Sequence, residues 1–245
     1  MPRGTLSVSN TAIPQYAPPY PTDGSDYTSD AVLTIPYQTT AECVRHFVPD
    51  MLELDDEPEA SVMLFQHRMT SFGPYNEYVH TVKVKYQGEK YDYCLSLILD
   101  NDSPILCGRE QFGFPKKLGV VSLEPKTGST ITHGTVERPP GQKIVEVGFQ
   151  PQHKVKSSLE HTIKGLNLRV IPSVVPGQGP SVKELVPVDI TIEGSAVWQG
   201  SGSVCFPAPS RFDPMHQVKV LRYKPATLLR NASSAIRCPT KVFPI

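Results

Sequence analysis

Apolar and polar residues alternate along much of the chain with the period of a β-strand. In YVHTVKVKY at 78–86, Val82, Val84 and Tyr86 fall on one face and Lys83 and Lys85 on the other, the pattern of a half-buried strand. The runs AVLTI at 31–35, SVMLF at 61–65, YCLSLIL at 93–99 and KIVEVGF at 143–149 also have strand length. So do LNLRVI at 166–171, DITIE at 189–193 and the segment around Val197 and Trp198. Helical spacing is scarce. TTAECVRHF at 39–47 offers a Thr cap, a Glu in the first turn and apolar Cys43, Val44 and Phe47, with Pro49 ending it. SSLEHTIK at 157–164 predicts a second short helix. The sum is a mainly β domain, a closed or nearly closed sheet with two or three small helices.

Composition sharpens that picture. The 25 prolines among 245 residues are about twice ordinary usage, which disfavours long helices and favours short strands with many turns. Residues 1–28, rich in Pro, Ser and Thr, read as an irregular arm before a single domain at 29–245. The arm has no apolar core of a signal peptide, and no run approaches the roughly 18 apolar residues of a membrane span. Lys plus Arg and Asp plus Glu are 24 each, so no net field draws nucleic acid or an anionic membrane surface. The five cysteines are scattered without CxxC or Cys/His spacing, which predicts free buried thiols in a reducing, cytoplasmic setting and no zinc site.

Several motifs carry little. PGQGP at 176–180 lacks phosphate-loop spacing and reads as a hairpin loop. The KTG at 126–128 has no SxxK or SDN partner, and the seven histidines are dispersed with no HExxH. The acidic run at 53–59 reads as a solvated turn.

One stretch stands apart. GREQFGFPKKLG at 108–119 places Lys116 and Lys117 among Phe112, Phe114, Pro115 and Leu118. Two solvated loop lysines fit these residues as well as an amine activated for nucleophilic attack. At neutral pH only about one free lysine in 2,500 is uncharged, and attack on a ketone needs that form. Making it dominant requires about 5 kcal/mol of differential interaction. Repulsion between adjacent ammonium groups on opposite faces of extended chain supplies less than about 1.7 kcal/mol, whereas desolvation can supply the whole. By alternation Lys116 shares its face with Phe112, Phe114 and Leu118, and Lys117 with Gly113, Pro115 and Gly119. Lys116 is therefore the expected nucleophile.

The same stretch resembles the lysine motif of the acetoacetate decarboxylase family, in which a GRE segment precedes a Tyr/Phe-Pro-Lys-Lys-Leu-Gly run; that family's enzyme is a standard case of an activated lysine. FVPDMLEL at 47–54 is similar to the family's V-P-x-x-L-E segment, and GPYNE at 73–77 to its G-x-Y-x-E. LRVIP at 168–172, KEL at 183–185 and WQG at 198–200 follow in the family's order, so the resemblance spans about residues 30–230. It implies an antiparallel β-cone or barrel around an apolar pocket, a homo-oligomer, and no metal or organic cofactor. It implies that Lys116 forms an imine, with Glu77 the carboxylate near the pocket, Lys117 and Arg109 supporting, and Phe112, Phe114 and Leu118 against the substrate. Two positions depart from it. The arginine that opens the first strand in the family is replaced by Ser29-Asp30-Ala31, and the strand at 62–66, VMLFQ, lacks the family's glutamate.

The resemblance implies a lyase that decarboxylates a β-keto acid or related polycarbonyl compound. The departures keep open an imine-dependent aldolase, dehydratase or cyclase of specialised metabolism. A non-catalytic barrel that binds an apolar ligand is a third reading, opposed by the presence of both lysines and Glu77.

Overall fold

In the computed structural model, which describes residues 1–155 and 158–245, strand β1 (Ser25–Gln38) begins a ring that returns to itself. On one edge it pairs with β2 (Glu59–Thr70), then β3 (Tyr75–Tyr86) and β4 (Glu89–Leu99). From β4 the ring passes to β9 (Leu159–Ile171), β10 (Val182–Cys205) and β12 (Ala226–Ile236), and β12 closes on β1. The closed, mainly antiparallel barrel expected above is present. Its seam is the parallel contact of β4 with β9, at Asp92↔Gly165 and Tyr93↔Leu166. The short strand β5 (Lys116–Leu118) also runs parallel to β4.

A second layer grows from the end of β10, whose residues pair first with β9 and then with β8 (Lys143–Val155). Beyond β8 lie β7 (Thr132–Glu137) and β6 (Val120–Pro125); β11 (Arg222–Tyr223) and β13 (Phe243–Pro244) are short edge pairings. The layer gives the chain two cores. Leu33, Ile35, Leu64 and Tyr78 pack with Val121, Leu123, Val147 and Phe149 between barrel wall and second layer. Val32, Met63, Phe65, Val79, Leu97 and Leu229 point the other way, into the barrel. Strand β2 is therefore covered on both faces, and residues 62–67 are all buried without alternation. Each fully buried aliphatic side chain there contributes about 1.5–3 kcal/mol.

Helix α1 (Ala41–Val44) forms where expected, capped by Thr40, whose hydroxyl accepts from the Cys43 amide, and a 3₁₀ turn at Arg45–Phe47 extends it. The helix expected at 157–164 does not form. Its residues from Leu159 onward belong to β9, paired from Leu159↔Gly194 through Thr162↔Thr191 (Ser157 lies outside the described residues). A ladder along the length of β10 outweighs the weak helical spacing of eight residues. Conversely, α2 (Asp102–Phe112) was not expected. It is capped by Asn101, whose side chain accepts from the Ser103 amide, and ended by Gly113 at φ 69°. Half of the lysine-bearing motif is thus helix rather than turn.

Residues 1–24 hold no helix or strand, and the first strand starts at Ser25. The arm is nonetheless fastened: Tyr20 is buried and its hydroxyl donates to Glu110 Oε2 of α2 at 2.5 Å. Among the five free cysteines, Cys94 and Cys107 are buried, Cys43 is partly covered, and Cys205 and Cys238 are exposed, so the expectation of buried thiols fails at the last two. No helix among the described residues is long and apolar enough to cross a membrane.

Candidate active site

Helix α2 delivers the lysine motif to the barrel. Gly113 reverses the chain in the left-handed region, and the Phe114 amide returns to the Gly108 carbonyl at 3.0 Å. The Lys116 amide then bonds the Phe114 carbonyl at 2.8 Å, and β5 starts alongside β4 with Leu97 beside Lys116. Gly108 makes the approach possible. A Cβ at that position would lie 2.5 Å from Lys116 Cδ and 2.6 Å from Cε, so the bare glycine is the groove in which the lysine stem lies. Arg109, one residue on, reaches back from the helix surface to the Lys116 carbonyl at 3.3 Å.

Lys116 is 8% exposed, and its Nζ donates to Glu77 Oε2 at 2.9 Å while lying 5.6 Å from the centre of the Phe114 ring. The pair sits in the wall of a cavity inside the barrel, whose empty space, counted out to its open mouth, is about 680 Å³. Alternation along each strand selects the wall: Met63, Phe65 and His67 from β2, Tyr75, Glu77 and Val79 from β3, and Ile163, Gly165 and Asn167 from β9. Cross-strand register orders them into rungs, with Phe65 opposite Glu77 and His67 opposite Tyr75.

Two kinds of neighbour meet at Lys116. Apolar side chains of the cavity wall surround its stem, and Glu77 and the Phe114 ring lie against the Nζ itself. Elsewhere in the cavity burial dominates. It raises the Tyr75 and Cys94 groups well above their ordinary values and pushes the His67 imidazole down to about 3, with the Lys116 charge acting in the same direction. Asp92, at the cavity margin, is raised by burial against the opposing pull of Lys83 at 2.7 Å.

The residues singled out in the sequence separate into two groups. Lys116, Glu77 and Phe114 come together in the cavity. Phe112 is buried at the end of α2, packed against Phe114, but does not line the space. Leu118 is 57% exposed although β5 is still paired to β4 there, beside Leu99, and it does not line the cavity. Lys117 points outward to Asp213 Oδ1 at 2.7 Å, and Arg109 meets the backbone rather than Glu77.

Sequence reasoning missed His67, Tyr27, Tyr75 and Asn167, all of which line the cavity. His67 follows Met63 and Phe65 at strand spacing, a signal that was present and unused. At the two departures, a β-bulge around Ser29 turns Asp30 to the surface, where it pairs with Arg68 at 2.6 Å, and Ser29 Oγ meets His67 Nδ1 at 2.9 Å. The β2 run that lacks a glutamate presents Met63 and Phe65 inward, while Gln66 turns out to the Leu123 carbonyl. Among the described residues no cluster of His, Cys, Asp or Glu is arranged to hold a metal ion.

Comparison with known proteins agrees with this architecture. The family description "Acetoacetate decarboxylase (ADC)" matches residues 11–235. Decarboxylase DEC1 of Cochliobolus heterostrophus is 39% identical over 229 residues, covering 91% of this chain and 90% of that one. The acetoacetate decarboxylase crystal structure from Legionella pneumophila superposes with a TM-score of 0.78 at 22% identity, covering 97% and 98% of the two chains. The enduracididine biosynthesis enzyme MppR, complexed with the condensation product of pyruvate and imidazole 4-carboxaldehyde, gives 0.78 at 17% identity over 99% of each chain.

Proposed function

The chain belongs to the acetoacetate decarboxylase family, and on that premise we propose that it is a lyase that decarboxylates a β-keto acid through an imine on Lys116. One observation carries the reading: a lysine amine, buried in an apolar cavity, at 2.9 Å from a single carboxylate. Along that contact Glu77 accepts the ammonium proton, and the freed amine attacks the ketone carbon. Water leaves as the protonated imine forms. The electron pair of the bond to the carboxylate then flows into the iminium, releasing carbon dioxide and leaving an enamine. Glu77, which gave the ammonium proton to the hydroxyl that left as water, relays a new proton from solvent water to the enamine carbon, and water hydrolyses the resulting iminium to the ketone product and free Lys116. The imine is itself the electron sink, so the sequence of steps balances without an oxidant or reductant.

A second reading keeps the imine and changes the bond made or broken, as in an aldolase or dehydratase. It is favoured by the absence of any cation other than Lys116 among the residues lining the cavity. Borohydride trapping with a panel of β-keto acids and aldehydes, read by mass spectrometry with carbon dioxide release, separates the two. Reduced adducts on Lys116 with carbon dioxide release are expected; adducts with aldehyde consumption and no carbon dioxide support the second reading, and no adduct removes both. Family membership also leads us to propose a homo-oligomer, which sedimentation would test.

A further inference from the structure

The cavity has a polar end that neither Lys116 nor Glu77 accounts for. His67 is 4% exposed, and its ring is enclosed by Tyr75, Tyr27 and Phe65 at centroid distances of 4.6, 5.1 and 5.2 Å. Its Nδ1 meets Ser29 Oγ at 2.9 Å, and its Nε2 has no hydrogen-bond partner among the described residues. With the Ser29 hydroxyl donating to Nδ1, the proton of the neutral ring sits on Nε2, which becomes a donor held in one orientation by aromatic walls.

Its position relative to the amine follows from the strand. Phe65 stands opposite Glu77, and His67 is the next inward residue along β2, a step of about 7 Å. The distance from an imine carbon to the carboxylate of the same β-keto acid, plus one hydrogen bond of about 2.9 Å, spans such a step.

Charge then limits what can bind. The lining contributes one cation, Lys116, and two carboxylates, Glu77 and Asp92. Asp92 is paired with Lys83 from outside the lining. An iminium at Lys116 with Glu77 ionised is neutral as a pair, so one substrate carboxylate leaves a single uncompensated charge and a second would leave two.

We propose that His67, oriented by Ser29, receives the carboxylate of the substrate through its Nε2–H, and that the cavity selects β-keto acids with one carboxylate and an apolar remainder. This rests on the decarboxylase reading and names the residue that replaces a fixed cation in it. Burial keeps the imidazole uncharged at neutral pH, so it holds the carboxylate by a hydrogen bond that is given up when neutral carbon dioxide departs. A guanidinium in the same place would hold the ground state more firmly than the departing product.

The test uses 3-oxohexanoate, the dicarboxylate 3-oxoglutarate, and 2-pentanone, a ketone with no carboxylate. The wild type is expected to prefer 3-oxohexanoate over 3-oxoglutarate by on the order of tenfold or more in kcat/KM. His67→Phe keeps the ring and removes the donor. It should lower kcat/KM for 3-oxohexanoate on the order of ten- to a hundredfold, with borohydride trapping of 2-pentanone on Lys116 within about twofold of wild type. His67→Gln, which restores a donor, should recover part of the loss, and Ser29→Ala should cost less than His67→Phe. Should the Phe variant fail to fold, Ser29→Ala and the comparison of the two acids carry the test. Undiminished turnover of 3-oxohexanoate in His67→Phe, equal loss of ketone trapping, or equal use of the dicarboxylate overturns the role of His67 and leaves the lyase reading standing. A wild type that neither traps ketones nor releases carbon dioxide overturns both.

Discussion

Lys116 turns into the barrel and bonds Glu77 at 2.9 Å, whereas Lys117, the next residue, turns out and bonds Asp213 at 2.7 Å. Asp213 also holds Arg138 Nε at 2.9 Å, its side chain is fully buried, and Lys117 donates as well to the Phe212 carbonyl. Arg138 donates in turn to the Leu118 carbonyl. The outward lysine is thus one clasp of an ionic network that fastens β5 to the 210–215 segment, and the inward one is the only cation in the cavity lining. A strand of three residues suffices to make two identical side chains chemically unlike. The pairing partners matter as much as the faces. Asp213 neutralises the charge of Lys117 outside the wall, so the reactivity of Lys116 depends on its own surroundings and on Glu77.

The sharpest way to break that comparison is to remove the inward amine. Lys116→Ala should abolish both borohydride trapping and carbon dioxide release, since no second lysine lines the cavity. An adduct found on Lys117 in that variant would show that the two faces communicate. Next in size is Glu77→Gln, which keeps a similar shape but cannot carry the proton between amine, water and enamine carbon. Turnover should fall about 10²- to 10⁴-fold while trapping persists, because the Lys116 amine is still in the cavity to meet a ketone. Unchanged turnover with a lowered melting temperature would reduce Glu77 to a structural partner.

Acid provides a milder probe of both faces of the wall, since His67 turns into the cavity and His80, bonded to Tyr37, turns to the second layer. Burial lowers both His67 and His80 to about 3, and unfolded histidines titrate near pH 6.5. Between these values the unfolded chain binds more protons than the folded one, so the stability these residues contribute is complete above about pH 6.5 and is lost as pH falls towards 3. Each should cost about 1.4 kcal/mol per pH unit within that window. Denaturant melts from pH 7 to pH 4 check it: His80→Phe, which removes one of the two buried imidazoles, should flatten the slope, and an unaltered slope would show that His80 is not buried neutral.

How much of this was legible in the sequence depends on the range of the interaction. Strand period within YVHTVKVKY located β3, and the Thr40 cap located α1, since both signals lie within a few residues. Alternation also picked out the lysine that turns into the cavity, although Phe112, counted on the same face, belongs to a helix. That helix escaped notice because its apolar residues form no clear stripe; its ends, Asn101 and Gly113, were the better evidence. Closure of the barrel depends on pairs such as Ser25↔Ile236, far apart in the chain, and on no local pattern. His67 was passed over because the histidines were judged by their spacing to one another, when the informative spacing was to Phe65. The role of Asp213 was invisible for the same reason as closure: its partner Lys117 lies 96 residues away.

The smallest effect expected is that of Lys117→Ala on catalysis. Asp213 would keep Arg138, and the lost partner is 34% exposed, so the penalty falls well below that of breaking a fully buried pair; about 1–2 kcal/mol of stability is a reasonable scale. The cavity lining would be intact, and Lys116 would still lie in the groove of Gly108 beside Glu77. Turnover of the folded variant should remain within a few-fold of wild type, with any loss arising from looser anchoring of β5. Lys117→Met separates charge from packing, because it keeps most of the stem across the wall. If both variants lower the melting temperature by similar amounts and both trap ketones normally, the ion pair with Asp213 is the whole contribution of Lys117. If instead both lose trapping completely while remaining folded, the two lysines act as one unit, and the distinction between an inward nucleophile and an outward clasp is wrong.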